Sequence, residues 1–201
     1  MDLRRLLDDG KNIFGTDGVR GEAGSDLTVE LAMAIGQAAG SHLDHGPVLI
    51  GRDTRRSGAM LSSALQAGFH SVGIDTLDVG VLPSGGISHL TATSPATMGA
   101  VVSASHNPAA DNGIKLLSSR GSKLPDEVER GIEDRLRQSG SSTSVGASIG
   151  TRYEDHDALY SYLDHLVEAS RYNLSGLSIA LDCANGAAYQ AAPELFGRLK
   201  A

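Results

Sequence analysis

Apolar residues recur along this chain with two periods, and the period switches at short polar or glycine-rich joints. Thr28 reads as the N-cap of VELAMAIGQAAGSHL, whose apolar positions repeat at helical spacing. PVLIG is a short apolar run ending at Gly51, the pattern of a buried strand. SGAMLSSALQAGFHSVG then predicts a helix, IDTLDVG a strand, residues 86–92 a short helix and MGAVVS a further strand. Strands alternating with helices across short connections predict an α/β fold with a mostly parallel sheet and helices on both faces. DNGIKLL predicts a turn and a strand that runs back antiparallel to its predecessor, which makes the sheet mixed. Pro125 and its acidic neighbours start the helix PDEVERGIEDRLRQ, as a fixed φ and negative charge suit a first turn.

SGSSTSVGASIG is poor in charge and rich in Ser and Gly, the composition of a linker. The boundary drawn there gives three parts: an N-terminal extension over 1–11, a first domain over 12–150, and the start of a second, similar domain over 151–201. The last part holds the amphipathic segment DHDALYSYLDHLVEAS, a buried-type strand LSIALDC, the turn ANGAA and a closing helix. One strand and one helix cannot enclose a core, so the second domain is expected to be cut off.

Composition narrows the function. Of 201 residues, 40% are hydrophobic and 20% charged, as in an ordinary globular protein. A net charge of −7 argues against non-specific nucleic-acid binding but leaves anionic small molecules open, because a local basic cluster focuses its own field. The single cysteine, Cys183, suits a reducing cytoplasm, and no segment has the apolar length of a signal or membrane span.

Candidate chemistry gathers at the end of the apolar run in VVSASHNPAADNGIKLL. Ser103, Ser105, His106 and Asn107 follow the strand, and Lys115 lies beyond the turn. The nucleophile elbow G-x-S-x-G is absent, and neighbours on extended backbone point to opposite faces, which makes a direct Ser105–His106 pair awkward. Pro108 biases Asn107 toward extended backbone. A polar turn capped by Asn-Pro is the plain alternative. FGTDGVRG places glycines beside Thr16 and Arg20, a pattern that lets amides and a guanidinium approach phosphate. GRDTRRSG puts Arg52, Arg55 and Arg56 between a strand and a helix, where open α/β sheets bind ligands. There the alternative is a solvated loop with an Asp53 salt bridge.

FGTDGVRG, GRDTRRSG, SASHNP with DNGIK, and LDCANGAAY occur in the order and near the spacing of the α-D-phosphohexomutase superfamily. The chain resembles that superfamily from Phe14 onward, and its wording resembles the phosphoglucosamine mutase branch. The resemblance implies an enzyme interconverting glucosamine 6-phosphate and glucosamine 1-phosphate for UDP-N-acetylglucosamine synthesis. In this scheme a phosphoserine at Ser105 and a bisphosphorylated intermediate carry the reaction. It further implies that His106 and Lys115 assist as proton carriers or phosphate donors, that Arg20 and Thr16 contact phosphate, and that Asn107 braces the serine loop. The cofactor it implies is Mg²⁺, held by the Ser105 phosphate and by aspartates of a D-G-D-x-D-R loop that this sequence lacks. The segments that read the sugar are also missing, so the isolated chain is expected to be inactive.

Ser84 and Gly85 replace the Thr-Pro step common in VLPSGGISHL-type segments. The expected partners are small sugar phosphates, with no nucleic acid or membrane, and a homo-oligomer is left open. The alternatives are a phosphomannomutase or phosphoglucomutase fragment, or a non-catalytic module that binds sugar phosphates.

Overall fold

The computed structural model describes residues 13–138 and 143–201, so the N-terminal extension over 1–11 and part of the Ser/Gly linker lie outside the described residues. Six strands form one sheet: β1 (Val19–Glu22), β2 (Val48–Arg52), β3 (Thr76–Val81), β4 (Met98–Val102), β5 (Asp111–Ser118) and β6 (Arg152–Glu154). Their spatial order is β1-β5-β4-β2-β3-β6. β4, β2, β3 and β6 run parallel to one another, while β5 is antiparallel to both β4 and β1. The sheet is therefore mixed and mostly parallel, and the return strand is present, but Asp111, Asn112 and Gly113, expected to form the turn, are its first three residues and pair with β1, so the turn lies before them.

Period-two alternation sorts side chains between the two faces. Val48, Ile50, Met98, Ala100, Val102, Ile114 and Leu116 point to one face, where α1 (Val29–Gly40), α2 (Gly58–Ser71) and α4 (Asp126–Arg137) cover them with Ile35, Leu65, Phe69 and Ile132. Leu49, Val79, Val101 and Leu117 point to the other. There α3 (Ser84–Thr93) contributes Leu90 and Ile87, and α5 (Ala158–Ala169) closes over them with Ala158 and Tyr162. Each fully buried Leu, Ile or Phe contributes about 1.5–3 kcal/mol, so both layers are needed. Thr28 caps α1 by accepting a hydrogen bond from the Leu31 amide at 3.2 Å. Gly36 and Gly68 let α1 and α2 touch backbone to backbone: a Cβ on Gly68 would stand 2.1 Å from the Met33 carbonyl.

Two elements escape pattern reading and one expected element is absent. β1 and β6 are short strands, the latter fully exposed, and pairing with β5 and β3 defines them rather than apolar alternation. β6 lies beyond the linker yet joins the sheet of the first part. α5 also docks there, with Tyr162 against Gly86 and the His165 ring stacked on His89 at 3.7 Å between centroids. The strand expected over LSIALDC does not form. Leu177, Ile179 and Leu181 are exposed, and among the described residues no strand lies alongside to take up their backbone hydrogen bonds. α6 (Ala191–Arg198) follows, tied to α5 through Arg198 and Asp164 at 2.6 Å.

The crossovers set the site's position. β2 leaves through α2 to β3 on one side, and β3 returns through α3 to β4 on the other, so β2 and β4 are neighbours whose outgoing chains diverge. A crevice at such strand ends is the usual ligand position of open α/β sheets.

Candidate active site

At the carboxyl ends of β2 and β4, a cleft of about 1000 Å³ is lined by Ser103, Ser105, His106, Asn107, Arg56 and Ser84, among others. The loop after β4 carries the two serines, and their environments differ. The Ser103 hydroxyl donates to Asp53 Oδ2 at 2.6 Å and accepts the Ser105 amide at 3.0 Å, so both of its roles are filled. Ser105 is exposed, and its backbone lies in the left-handed region at φ 56°. That turn carries the Ser105 hydroxyl to 3.4 Å from His106 Nδ1. The expectation that adjacent residues point apart assumed extended backbone, and the left-handed serine removes that assumption.

Asn107 braces the loop as a three-way junction. Its amide NH₂ donates to Asp111 Oδ2 at 3.0 Å, its backbone N–H donates to the Ala104 carbonyl at 3.1 Å, and its Oδ1 accepts from Arg20 at 3.3 Å. The Arg55 side chain is largely buried and its guanidinium is turned into the protein. It pairs with Asp53 at 3.0 Å and donates to carbonyls of the serine loop, including those of Ser105 at 2.9 Å and Asn107 at 2.8 Å. The salt bridge considered as the plain reading of GRDTRRSG is thus present, and it lies inside the site. Arg52 donates to the Asp53 carbonyl at 3.3 Å.

Arg20 and Lys115 enter from the sheet. Arg20 stands opposite Gly113 in the β1–β5 register, and Lys115 is two residues further along β5, on the same face. Gly113 leaves the room: a Cβ there would lie 3.0 Å from Arg20 Cγ and 2.7 Å from the Ser103 carbonyl. Asp17 bridges the two cations, 3.2 Å from Lys115 Nζ and 3.4 Å from Arg20. The Lys115 hydrogen bond, then the charges of Arg20 and Lys115, hold the Asp17 carboxyl below the ordinary aspartate value. Asp17 is fixed by a tight turn in which Gly15 and Gly18 exchange both backbone hydrogen bonds, at 3.0 and 3.1 Å. Arg20 Nε is buried and has no hydrogen-bond partner.

The sequence-selected residues therefore fall into groups. Ser105, His106 and Asn107 share the cleft, and Arg20 reaches it through Asn107. Lys115 is linked to Arg20 through Asp17. Thr16 instead lines a separate cavity of about 280 Å³ beside Lys123, Glu129 and Arg130 of the α4 region. Two participants were not singled out in the sequence, Asp17 and Asp53 as the partner of Ser103, and the LDCANGAAY motif brings its ANG turn to the cleft. In that turn the Asn185 carbonyl accepts from the Thr54 hydroxyl at 2.6 Å, and Ala184 and Asn185 both take positive φ. The contacts Asp17–Lys115 and Asp53–Ser103 were not legible, because each joins residues distant in sequence.

Residues 11–142 match the family described as phosphoglucomutase/phosphomannomutase, alpha/beta/alpha domain I. A phosphoglucosamine mutase of Rhodococcus erythropolis is 48% identical over 190 residues, covering 90% of this chain and 42% of the relative. The phosphoglucosamine mutase of Desulforamulus reducens is 47% identical over 196 residues, covering 94% of this chain and 44% of the relative. The chain thus spans less than half the length of these curated relatives. A crystal structure of a phosphoglucomutase/phosphomannomutase family protein from Burkholderia thailandensis superposes with a TM-score of 0.80 at 28% identity, covering 94% of this chain and 42% of that one. On the sheet order, the serine loop and these matches together, the chain belongs to the phosphoglucomutase/phosphomannomutase family and carries its α/β/α domain I.

Proposed function

We propose that this chain supplies the phosphoserine part of a phosphoglucosamine mutase, with Ser105 as the phosphoryl carrier. The observation that carries the reading is the inequality of the two serines: Ser103 has both hydrogen-bonding roles filled, while Ser105 is exposed on the cleft beside His106. Identity of 48% and 47% to relatives named phosphoglucosamine mutase supports the amino sugar over other hexoses.

In the forward step the bond from phosphorus to Ser105 Oγ breaks and a bond from phosphorus to a sugar hydroxyl forms, giving a bisphosphorylated sugar. The hydroxyl proton leaves to a base, for which His106 is placed, and a proton is delivered to Ser105 Oγ as its bond to phosphorus breaks. In the second step the bond from the other phosphorus to its sugar oxygen breaks as a bond to Ser105 Oγ forms, the serine gives up its proton, and the released sugar oxygen takes one up. Such transfers need chiefly positioning and neutralisation of oxygen charge. Arg20, with a buried Nε lacking a partner, and Lys115 supply donors on one side of the loop. Mg²⁺ does not find a ligand set of its own here. Among the described residues no three His, Cys, Asp or Glu side chains cluster to hold an ion, and Asp53 is committed to Arg55 and Ser103. No step above is routed through the metal.

Among the described residues no helix is long and apolar enough to cross a membrane. The test is the full-length protein read from its gene, assayed on glucosamine, glucose and mannose phosphates with a hexose 1,6-bisphosphate activator. A preference for glucosamine phosphates and a phosphate mapped to Ser105 are expected. Equal or better turnover of mannose or glucose phosphates would overturn the substrate, and an unphosphorylated Ser105 would overturn the mechanism.

A further inference from the structure

We infer that the Asp53–Arg55 pair is the positioning element of the serine loop, setting the backbone angles of Ser105 and hence where its hydroxyl oxygen stands. The inference rests on the reading of Ser105 as the phosphoryl carrier. A left-handed serine is a conformation that L side chains rarely adopt, so its surroundings must impose it.

Both peptide groups of Ser105 are held by this pair. Its N–H donates to the Ser103 hydroxyl at 3.0 Å, and that hydroxyl donates to Asp53 Oδ2 at 2.6 Å. Its carbonyl accepts from Arg55 NH2 at 2.9 Å. The two members are joined to each other, Arg55 donating through Nε to Asp53 Oδ2 and through its backbone N–H to Asp53 Oδ1, each at 3.0 Å. Fixing the groups on either side of one Cα leaves φ and ψ little freedom.

Arg55 is saturated in this role. A guanidinium has five N–H donors in a rigid planar fork. Here Nε serves Asp53, NH1 serves the Pro108 and Asp111 carbonyls, and NH2 serves the Ser105 and Asn107 carbonyls. No donor remains for a substrate phosphate, so Arg55 lines the cleft without acting as a phosphate ligand. Both side chains are close to nine-tenths buried, at 11% and 12% exposure, and water competes little for these bonds. Lysine, with three donors around a single atom, cannot reproduce the fork.

Two variants decide the matter. Arg55→Lys breaks the carbonyl side of the clamp, and Ser103→Ala breaks the amide side with little risk to folding. In the 201-residue chain, amide hydrogen exchange is expected to accelerate over residues 104–111 while the β2 and β4 amides keep their protection. In the full-length protein, kcat is expected to fall on the order of a hundredfold with KM nearly unchanged, since a misplaced reacting atom costs rate rather than binding. Unchanged exchange over residues 104–111 in both variants overturns the clamp, as does a full kcat with accelerated exchange. If Arg55→Lys fails to fold, the same two readouts on Ser103→Ala decide. A wild-type enzyme that carries no phosphate on Ser105 refutes the proposed function instead, and the exchange measurement still decides whether the clamp exists.

Discussion

Replacing Gly18 by alanine separates two costs that the structure assigns to different glycines. Gly18 and Gly24 both have left-handed backbone, at φ 81° and 92°. For alanine that conformation costs about 1–2 kcal/mol at either position. Their surroundings differ: a Cβ on Gly24 meets nothing within 4 Å, whereas one on Gly18 would stand 2.3 Å from the Ile114 carbonyl and 2.9 Å from the Lys115 Cα. No rotamer relieves a clash with β5 backbone, so the turn must move outward by about 1 Å, at a further cost of roughly 1–3 kcal/mol. The expected losses are about 1–2 kcal/mol for Gly24→Ala and about 2–5 kcal/mol for Gly18→Ala. Urea titration of both variants reads these directly, and the melting temperatures should drop by about 2–4 °C per kcal/mol. Gly18→Ala should also shift NMR signals of Arg20 and Lys115, because the displaced turn carries Asp17 between them. Losses that agree within about 0.5 kcal/mol would show that the close approach of turn and strand is not what the glycine serves.

Four further outcomes are expected. Peptide mass spectrometry of the full-length protein after incubation with a hexose 1,6-bisphosphate should find phosphate on Ser105, absent in Ser105→Ala and retained at Ser105 in Ser103→Ala; phosphate on Ser103 would refute the inequality of the serines. The 201-residue chain alone should give no sustained interconversion of glucosamine phosphates by ³¹P NMR, because it spans 42% of the length of its Rhodococcus relative; enzyme-like turnover would contradict this. Asp17 has a lowered carboxyl pKa, so its contribution is fully present above the ordinary 3.8 and lost as pH falls through the lowered value. The stability gap between wild type and Asp17→Asn should therefore narrow on acidification, and a gap that widens would reverse the assignment. Burial, with the His165 charge, pushes His89 below the ordinary 6.5, so the unfolded chain takes up that proton first and stability falls as pH drops through 6.5. His89→Phe should reduce this slope, leaving the part due to His70, which burial shifts the same way; an unchanged slope would exonerate the stack.

The fold was largely legible because its central strands are apolar runs and its helices carry their own end signals. Thr28 and the acidic start of α4 each work through neighbours within a few residues, whereas the turn read into Asp-Asn-Gly is strand, paired with β1. Reading failed where an element owes its existence to a distant partner. β1 contains a glycine and two charged residues among four, and only β5 makes it a strand. LSIALDC failed in the opposite sense, since its composition suits a strand that nothing alongside completes. The site divides the same way. Its nucleophile and base candidates are adjacent in sequence, but the pairings Asp17–Lys115 and Asp53–Ser103 cross 98 and 50 positions. The left-handed serine is held through the second of these, which is why extended backbone was the natural but mistaken premise.

The antiparallel pairing of β1 with β5 has a consequence for how the site comes into being. Helices α1 and α2 and the parallel strands β2, β3 and β4 follow one another along the chain, whereas Arg20 meets Gly113 across about ninety residues. Closing so long a loop is entropically unfavourable until the intervening layers have collapsed, so β1 is expected to dock late. Until it does, the serine loop can already turn back on its clamp, but Asp17 and Arg20 remain on an undocked segment. Synthesis reverses this order: the ribosome delivers the GTDG turn first, and it must wait for Lys115 to emerge. A nascent chain stalled before β5 would hold Asp17 and Arg20 without Lys115 or Gly113 beside them, so assembly of the candidate site itself marks the completion of the domain.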